Sequence, residues 1–98
     1  MKLTHFDMSK YLDSNEAIEE YLNQVLEDGD NTEFIRAIGY IAKAKGMSAI
    51  AKDTGLGRES LYKAFNGDAN PRFDTVMKVI KSLGIKLYTQ THVKKVAV

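Results

Sequence analysis

The side chains best suited to bind another molecule lie on one face of a short segment, residues 58 to 66. Leu61, Ala64 and Phe65 are spaced three and four residues apart, so in a helix they share the inward face. The polar residues between them then point outward: Arg58, Glu59, Tyr62, Lys63 and Asn66. Such groups hydrogen-bond to base edges, and the cations among them also bind phosphates. The pattern therefore indicates a helix that contacts a nucleic acid.

A second helical segment precedes this one and ends at a glycine. Ile50 and Ala51 would face inward, and Ala51 must be small because the two helices cross close to it. Gly55 can take the left-handed conformation that ends a helix, and Leu56 would fill the corner. Residues 47 to 67 thus fit a helix-turn-helix motif, whose second helix enters the major groove of DNA. The alternative is a helical hairpin that serves only packing.

The motif assigns roles to individual side chains. The first turns of a recognition helix enter the groove deepest, and the flanking helix crosses the backbone. We therefore expect Arg58, Glu59, Tyr62 and Lys63 to face bases. Ser48, Lys52 and Asn66 should lie nearer the phosphates. The complete set of candidate DNA-contacting residues is Ser48, Lys52, Arg58, Glu59, Ser60, Tyr62, Lys63 and Asn66.

Catalytic and metal-binding chemistry has few candidates in this sequence. His5 and His92 are the only histidines, and neither is in a metal-ligand spacing. Glu19 and Glu20 are adjacent on a solvent-facing side of a helix, which does not place two carboxylates around a substrate. The glycines of residues 55 to 67 lack the Lys-Ser/Thr ending of a phosphate-binding loop. We therefore expect no enzyme, no metal and no cofactor.

The charges of the chain divide unequally between its two parts. Residues 1 to 33 carry nine acidic side chains against two lysines, a net charge of −7, whereas residues 34 to 98 carry twelve basic and four acidic side chains, a net charge of +8. Such asymmetry suggests a polyanion as the partner of the basic part and a basic protein as the partner of the acidic part. The alternative is an internal charge match between two packed segments.

Two helices are predicted before the motif. The first runs from about residue 14 to 27, begins at a capping box of Asp13 and Glu16, and has an apolar stripe of Ile18, Tyr21, Leu22, Val25 and Leu26. The second spans residues 31 to 45, after a capping box of Asp30 and Glu33. Its apolar residues surround most of the helix, which indicates the centre of a bundle. Gly39 in its middle predicts that another helix approaches closely there.

After the motif, the chain's only proline begins a further helix, and the periodicity then changes. That helix is predicted from about residue 72 to 83, with an inward face of Phe73, Val76, Met77, Ile80 and Leu83. Residues 85 to 93 alternate in polarity and predict one β-strand, which would pair with the N-terminal arm or with its copy in a second subunit. The fold class is thus all-α, a five-helix bundle with a lambda-repressor-like helix-turn-helix and a short C-terminal strand.

Length and composition set the boundaries of this interpretation. The 98 residues suffice for one domain, which we divide into an acidic arm and helix (1–30), a DNA-binding core (31–84) and a strand with its tail (85–98). The absence of cysteine fits a reducing cytosol. No apolar run is long enough for a signal peptide or reaches the ~18 residues of a membrane span. We therefore expect a cytoplasmic protein.

The sequence resembles the small antidote proteins of bacterial addiction modules, within the Xre helix-turn-helix family of Cro-type and lambda-repressor-like regulators. The resemblance covers nearly the whole chain and is most specific in two runs, Arg-Glu-Ser-Leu-Tyr-Lys at residues 58 to 63 and Asn-Pro-Arg-Phe-Asp-Thr at residues 70 to 75. One position departs from the pattern. Gly57 stands where such proteins usually have Ser or Thr as the helix N-cap, so this helix should begin less firmly.

The resemblance implies an antitoxin that neutralises a co-encoded toxin of the RelE/HigB type and binds its own operator as an autorepressor. A stand-alone Xre-type regulator without a toxin is the main alternative, and a small basic reading frame next to the gene would favour the antitoxin. A third possibility is an inhibitor whose helix-turn-helix is only a scaffold. The partners expected are operator DNA, a basic toxin and a second copy of the chain.

The acidic first third is the expected toxin-binding surface, because a toxin that handles RNA should be basic. The glutamates of the first helix lie opposite its apolar stripe, and the N-terminal arm offers apolar anchors beside them. The candidate toxin-binding residues are Phe6, Tyr11, Glu16, Glu19, Glu20 and Glu27.

Overall fold

A computed structural model describes residues 8 to 91 of the chain. Within that range the structure has the five α-helices that the sequence predicted, preceded by a short 3-10 helix that it did not predict. The 3-10 helix is Met8–Tyr11, and the α-helices are α1 (Asn15–Asp28), α2 (Asn31–Lys45), α3 (Met47–Thr54), α4 (Arg58–Ala64) and α5 (Phe73–Ser82). None of these helices has the length and apolar character needed to cross a membrane.

The N-terminus of α1 is capped one residue later than predicted. The Ser14 hydroxyl accepts a hydrogen bond from the Ala17 N–H at 3.0 Å, so Ser14, and not Asp13, is the N-cap. A serine hydroxyl serves this purpose about as well as a carboxylate, so sequence spacing alone did not distinguish the two residues. The cap of α2 is the predicted one, since Asp30 Oδ1 accepts from the Glu33 N–H at 2.8 Å.

The second helix forms the centre of the bundle. Ala37, Ile38 and Ile41 are completely buried. The surrounding helices all contribute to one apolar cluster, whose buried members are Leu12, Ile18, Leu22, Val25, Ala37, Ile38, Ile41, Ala42, Met47, Ile50, Leu61, Phe65, Val76, Val79, Ile80 and Leu83. A helix buried on most of its surface must be apolar on most of its surface, which accounts for the pattern of α2.

Gly39 lies where α2 meets the end of α4. A Cβ atom added to Gly39 would fall 2.6 Å from the Phe65 carbonyl oxygen and 3.1 Å from the Phe65 Cβ. Real Cβ atoms do not approach a backbone atom so closely, so only glycine fits without a shift of α4. The close approach that the sequence predicted at Gly39 is therefore confirmed.

Two apolar residues assigned to the inward faces are exposed. Leu26 is 54% exposed because the stripe of α1 is narrower than predicted and consists of Ile18, Leu22 and Val25, with Tyr21 half-buried beside them. Phe73 is 78% exposed because it is the first residue of α5 and precedes the turn that packs on the core. Both assignments to the core were wrong.

The predicted C-terminal strand is absent from the part of it that the structure describes. Residues 85 to 91 form neither strand nor helix, while residues 92 and 93 of the predicted strand lie outside the described range. A strand requires a partner, and in the described part of the N-terminal arm Met8–Tyr11 forms a 3-10 helix that packs against α2 and offers no extended edge. Ile85 instead packs against the core, and its N–H donates to the Ile80 carbonyl at 3.2 Å.

The contact at Gly39 leads to a stability prediction. Alanine is the better helix former by about 1 kcal/mol, yet Gly39→Ala should lower the free energy of unfolding by about 1 to 3 kcal/mol because α4 must move. Urea denaturation would measure it. Ala44→Gly, at an exposed site of the same helix, is the control for propensity alone. A Gly39→Ala protein as stable as the wild type would contradict the close approach.

Candidate nucleic-acid interface

The connection between α3 and α4 is fixed by Thr54 and Gly55. Gly55 takes the left-handed conformation (φ 76°, ψ 9°), and its N–H donates to the Ala51 carbonyl. The Thr54 hydroxyl donates to the Ile50 carbonyl at 2.8 Å and accepts from the Leu56 N–H at 3.3 Å. Leu56 is half-buried against the core, as the motif requires. These bonds determine how α4 leaves the turn.

The orientation of α4 agrees with the predicted inward and outward faces. Leu61 and Phe65 are buried and Ala64 is half-buried, whereas the polar residues of the helix are exposed. The helix begins at Gly57 without a side-chain cap. This geometry agrees with the expected weaker N-terminus of the helix, since a glycine cap leaves an N–H of the first turn to solvent.

Arg58 and Tyr62 form a pair on the outward face of α4. The Arg58 guanidinium carbon lies 5.8 Å from the centre of the Tyr62 ring, within the range of a cation–π interaction. An exposed pair of this kind is worth about 0.5 to 1 kcal/mol, enough to bias the conformation of both side chains.

The eight candidate DNA-contacting residues are all exposed. Ser48 and Lys52 belong to α3, and Asn66 follows α4. The Asn66 Oδ1 accepts from the Asp68 N–H at 2.7 Å, which commits the oxygen to the turn and leaves the amide NH₂ as a donor. The structure thus leaves each of these side chains accessible, with donors on α4 and on the turn after it.

A groove between α2 and α4 adjoins this surface. It encloses about 260 Å³ and is lined by Arg36, Gly39, Tyr40, Lys43, Met47, Tyr62, Phe65 and Asn66. Tyr62 and Asn66 are thereby shared between the groove and the outward face of α4. The basic and aromatic residues of α2 were not among the predicted DNA-contacting residues, which came only from the helix-turn-helix motif. Their spacing, with Arg36, Tyr40 and Lys43 at intervals of four and three, was the available signal.

The acidic candidates lie together on another helix. Glu16, Glu19, Glu20 and Glu27 are exposed along α1, and no ion pair joins any of the four to a basic side chain among residues 8 to 91. Among residues 8 to 91, the alternative of an internal charge match thus has no direct ion pair of these glutamates to support it. Tyr11 is 63% exposed, and Phe6 lies outside the described residues.

A groove beside α1 adds apolar surface to the acidic one. It encloses about 140 Å³ and is lined by residues of α1, including Glu19 and Leu26, and by residues 85 to 88 of the segment after α5. Leu26, Leu87 and Tyr88 are exposed in it by 54, 44 and 86%. Carboxylate and apolar surface are thus continuous on this side of the molecule.

Burial raises the pKa of Tyr21 above its ordinary value of 10.0, and the neighbouring Tyr40 and Glu33 raise it further. Tyr21 is half-buried and packs against the core cluster. No group of three or more carboxylate, histidine or cysteine side chains with the arrangement of a metal site occurs in the described part of the chain.

Comparison with known proteins identifies relatives over almost the whole chain. A family model described as "Probable addiction module antidote protein" matches residues 2–91. A protein of Haemophilus influenzae described as "Uncharacterized protein" is 49% identical over 90 residues, which cover 91% of this chain and 92% of the relative. No solved structure matches the chain significantly.

Proposed function

Because the chain belongs to the addiction module antidote family, we propose that it is the antitoxin of a type II toxin–antitoxin module in the cytoplasm. It neutralises a co-encoded toxin of the RelE/HigB type, binds its own operator as an autorepressor, and catalyses no reaction. The observation that carries the antitoxin role is the family match over residues 2–91. The two binding activities rest on two separate surfaces, α4 with its turn and the acidic face of α1.

The exposed face of α4 supports the DNA-binding half of the proposal. Leu61 and Phe65 anchor the helix in the core, so the polar side chains project together from a fixed support. Arg58 is biased by its contact with Tyr62, and Lys63 is exposed next to it in sequence. Side chains held in this way lose little conformational entropy on binding a groove. We therefore interpret α3 and α4 as a helix-turn-helix.

The base-reading role of α4 gives a direct prediction. Arg58→Ala and Lys63→Ala should each weaken binding to a duplex from the region upstream of the gene by about 1 to 3 kcal/mol. A gel shift or fluorescence anisotropy would measure this. Lys78→Ala, which removes a charge from the exposed side of α5, is the matched control. Unchanged binding by both α4 variants would move the DNA contact elsewhere or remove it.

We further propose that the chain acts as a homodimer. A single seven-residue recognition helix contacts few bases, whereas a two-fold dimer reads two half-sites about 34 Å apart. Leu87 and Tyr88 are exposed apolar residues after α5 and are our candidates for part of the interface. Their side chains would contact the second copy of the chain, whereas backbone pairing through a strand is not proposed for residues 85 to 91.

The dimer proposal is tested by sedimentation. The wild type should sediment as a dimer at micromolar concentration, and Leu87→Glu combined with Tyr88→Glu should shift it toward monomer because both changes place a charge in an apolar contact. Thr89→Glu combined with Gln90→Glu introduces the same charges at neighbouring exposed positions. A monomeric wild type would refute the proposal, and equal effects of the two pairs would refute the assigned interface.

The acidic face of α1 supports the toxin-binding half. Its glutamates have no intramolecular ion pairs within the described range, so their field extends into solvent. Complementary charge accelerates the encounter with a basic protein, and the adjacent apolar residues, with Leu26 foremost, would slow dissociation. A deletion of the acidic segment is not a usable test, because Leu12, Ile18 and Leu22 belong to the core and their removal would unfold the protein.

Neutralising surface charges tests the toxin site without disturbing the core. Glu16→Gln, Glu19→Gln and Glu20→Gln combined should slow association with the co-encoded toxin, reduce the salt dependence of the association rate and impair growth rescue. Asp53→Asn, Asp68→Asn and Asp74→Asn combined remove the same charge from other exposed positions. Each triple variant loses one acid from a first helical turn, and Asp74→Asn also removes an exposed ion pair with Arg72 that is worth about 0 to 1 kcal/mol. Full rescue with unchanged kinetics in the α1 variant would place the toxin elsewhere.

A further inference from the structure

One face of α2 carries a row of basic and aromatic side chains that the functions above do not use. Arg36, Tyr40 and Lys43 follow one another at intervals of four and three residues, so they share one side of the helix. We call these three residues the α2 ridge. A rise of about 1.5 Å per residue separates its two cations by roughly 10 Å along the helix axis.

The ridge is continuous with the outward face of α4. Its three residues line the same groove as Tyr62 and Asn66, and the floor between them is formed by Gly39, Met47 and Phe65. Because Gly39 allows the backbone of Phe65 to lie against α2, the ridge and the face of α4 have a fixed relation to each other. A ligand that extends beyond the outward face of α4 on this side therefore also contacts the ridge.

Arg36 is held at the α4 end of the ridge by the turn that follows α4. A Cβ atom added to Gly67 would fall 2.9 Å from both Arg36 Cγ and Cζ, so the arginine side chain lies across this glycine. Gly67 has a positive φ of 94°, which also disfavours any other residue there. The arginine side chain therefore lies beside the turn that contains Asn66, which lines the same groove and whose amide NH₂ remains a donor.

The chemistry of the groove specifies its ligand. The lining contains two cations, two phenols and one amide, and none of the lining residues is acidic. Cations and hydroxyl or amide donors bind phosphate oxygens, whereas the rings and the apolar floor suit the sugar between two phosphates. A repeated anion joined by apolar sugar units is the backbone of a nucleic acid.

We propose that the α2 ridge binds the phosphate backbone of the DNA whose major groove receives α4. Arg36 and Lys43 neutralise phosphates, and Tyr40 contacts the backbone between them. The ridge contributes affinity and orientation but no sequence preference, since phosphates carry no sequence information. The inference rests on the proposed binding of DNA by α4 and adds a second helix to the interface.

The dependence of binding on salt separates this role from others. Each phosphate neutralised by a protein cation contributes about −0.9 to the slope of log K against log salt concentration. Arg36→Gln combined with Lys43→Gln should therefore make the slope shallower by roughly 1.8. The binding constants are measured by fluorescence anisotropy over a series of salt concentrations, on a labelled duplex from upstream of the gene and on a scrambled duplex of equal length. Both duplexes should lose affinity by the same factor.

Two control proteins make the measurement specific to the ridge. Lys10→Gln combined with Lys78→Gln removes the same charge from exposed positions in the 3-10 helix and in α5, and should leave the slope unchanged. Arg36→Lys combined with Lys43→Arg keeps the charges and should keep the slope. A purely structural role of Arg36 would lower the melting temperature of the Gln variant without changing the slope.

The outcomes distinguish failure of this inference from failure of the proposed function. An unchanged slope in the Gln variant, with tight binding of the upstream duplex by the wild type, overturns the ridge and leaves DNA binding by α4 intact. If the Gln variant loses affinity for the upstream duplex but not for the scrambled one, the ridge reads bases, and the inference is also overturned. Impaired toxin neutralisation with unchanged DNA binding assigns the ridge to a protein partner instead. A wild type that binds neither duplex refutes both proposals.

Discussion

The contact between Gly39 of α2 and the backbone of Phe65 is the constraint on which the proposed DNA-binding surface depends. The carbonyl oxygen of Phe65 occupies space that any other side chain at position 39 would need. Phe65 is the C-cap of α4 and is itself buried, so this contact fixes one end of α4 against the central helix. Thr54 and Gly55 fix the other end through the turn from α3. With both ends fixed, the outward face of a helix of only seven residues has one orientation, although an isolated helix of that length is unstable in water.

The sequence was sufficient for the helices because each carries its own local signals. The period of apolar residues and the stop at Gly46 placed α2 at the bounds observed, and Asp30 caps it as predicted. The errors occur where a residue's environment is set by distant parts of the chain. Leu26 has the spacing of a core residue but lies outside the buried stripe of α1, and Phe73 precedes the part of α5 that packs. The strand prediction failed in its described part in the same way, because a strand depends on a partner that the alternating pattern of residues 85 to 91 does not specify.

The candidate site was predictable to the extent that it belongs to one helix. The exposed face of α4 follows from three inward residues in a single period, so Arg58 and Lys63 were found without a structure. The α2 ridge was not found, because only the tertiary packing at Gly39 brings Arg36 and Lys43 beside α4. Helical spacing places Arg36, Tyr40 and Lys43 on one face of α2. It does not show which neighbouring helix that face adjoins. The groove beside α1 has the same character, since Leu26 and Leu87 become neighbours only through folding.

The division of charge persists in the folded protein because pairing the charges would stabilise it little. An exposed ion pair contributes about 0 to 1 kcal/mol, and two long side chains must be ordered to form it. The apolar stripe of α1, led by Ile18 and Leu22, is what attaches this helix to the bundle, so its acidic face has no structural need of a basic neighbour. Unpaired charges of one sign produce a field that reaches about 8 Å at physiological ionic strength. The same charges, if paired internally, would cancel and present no such field to a partner. Keeping the acids on α1 and the cations on α2 and α4 therefore costs the fold little stability and leaves two surfaces of opposite sign available for binding.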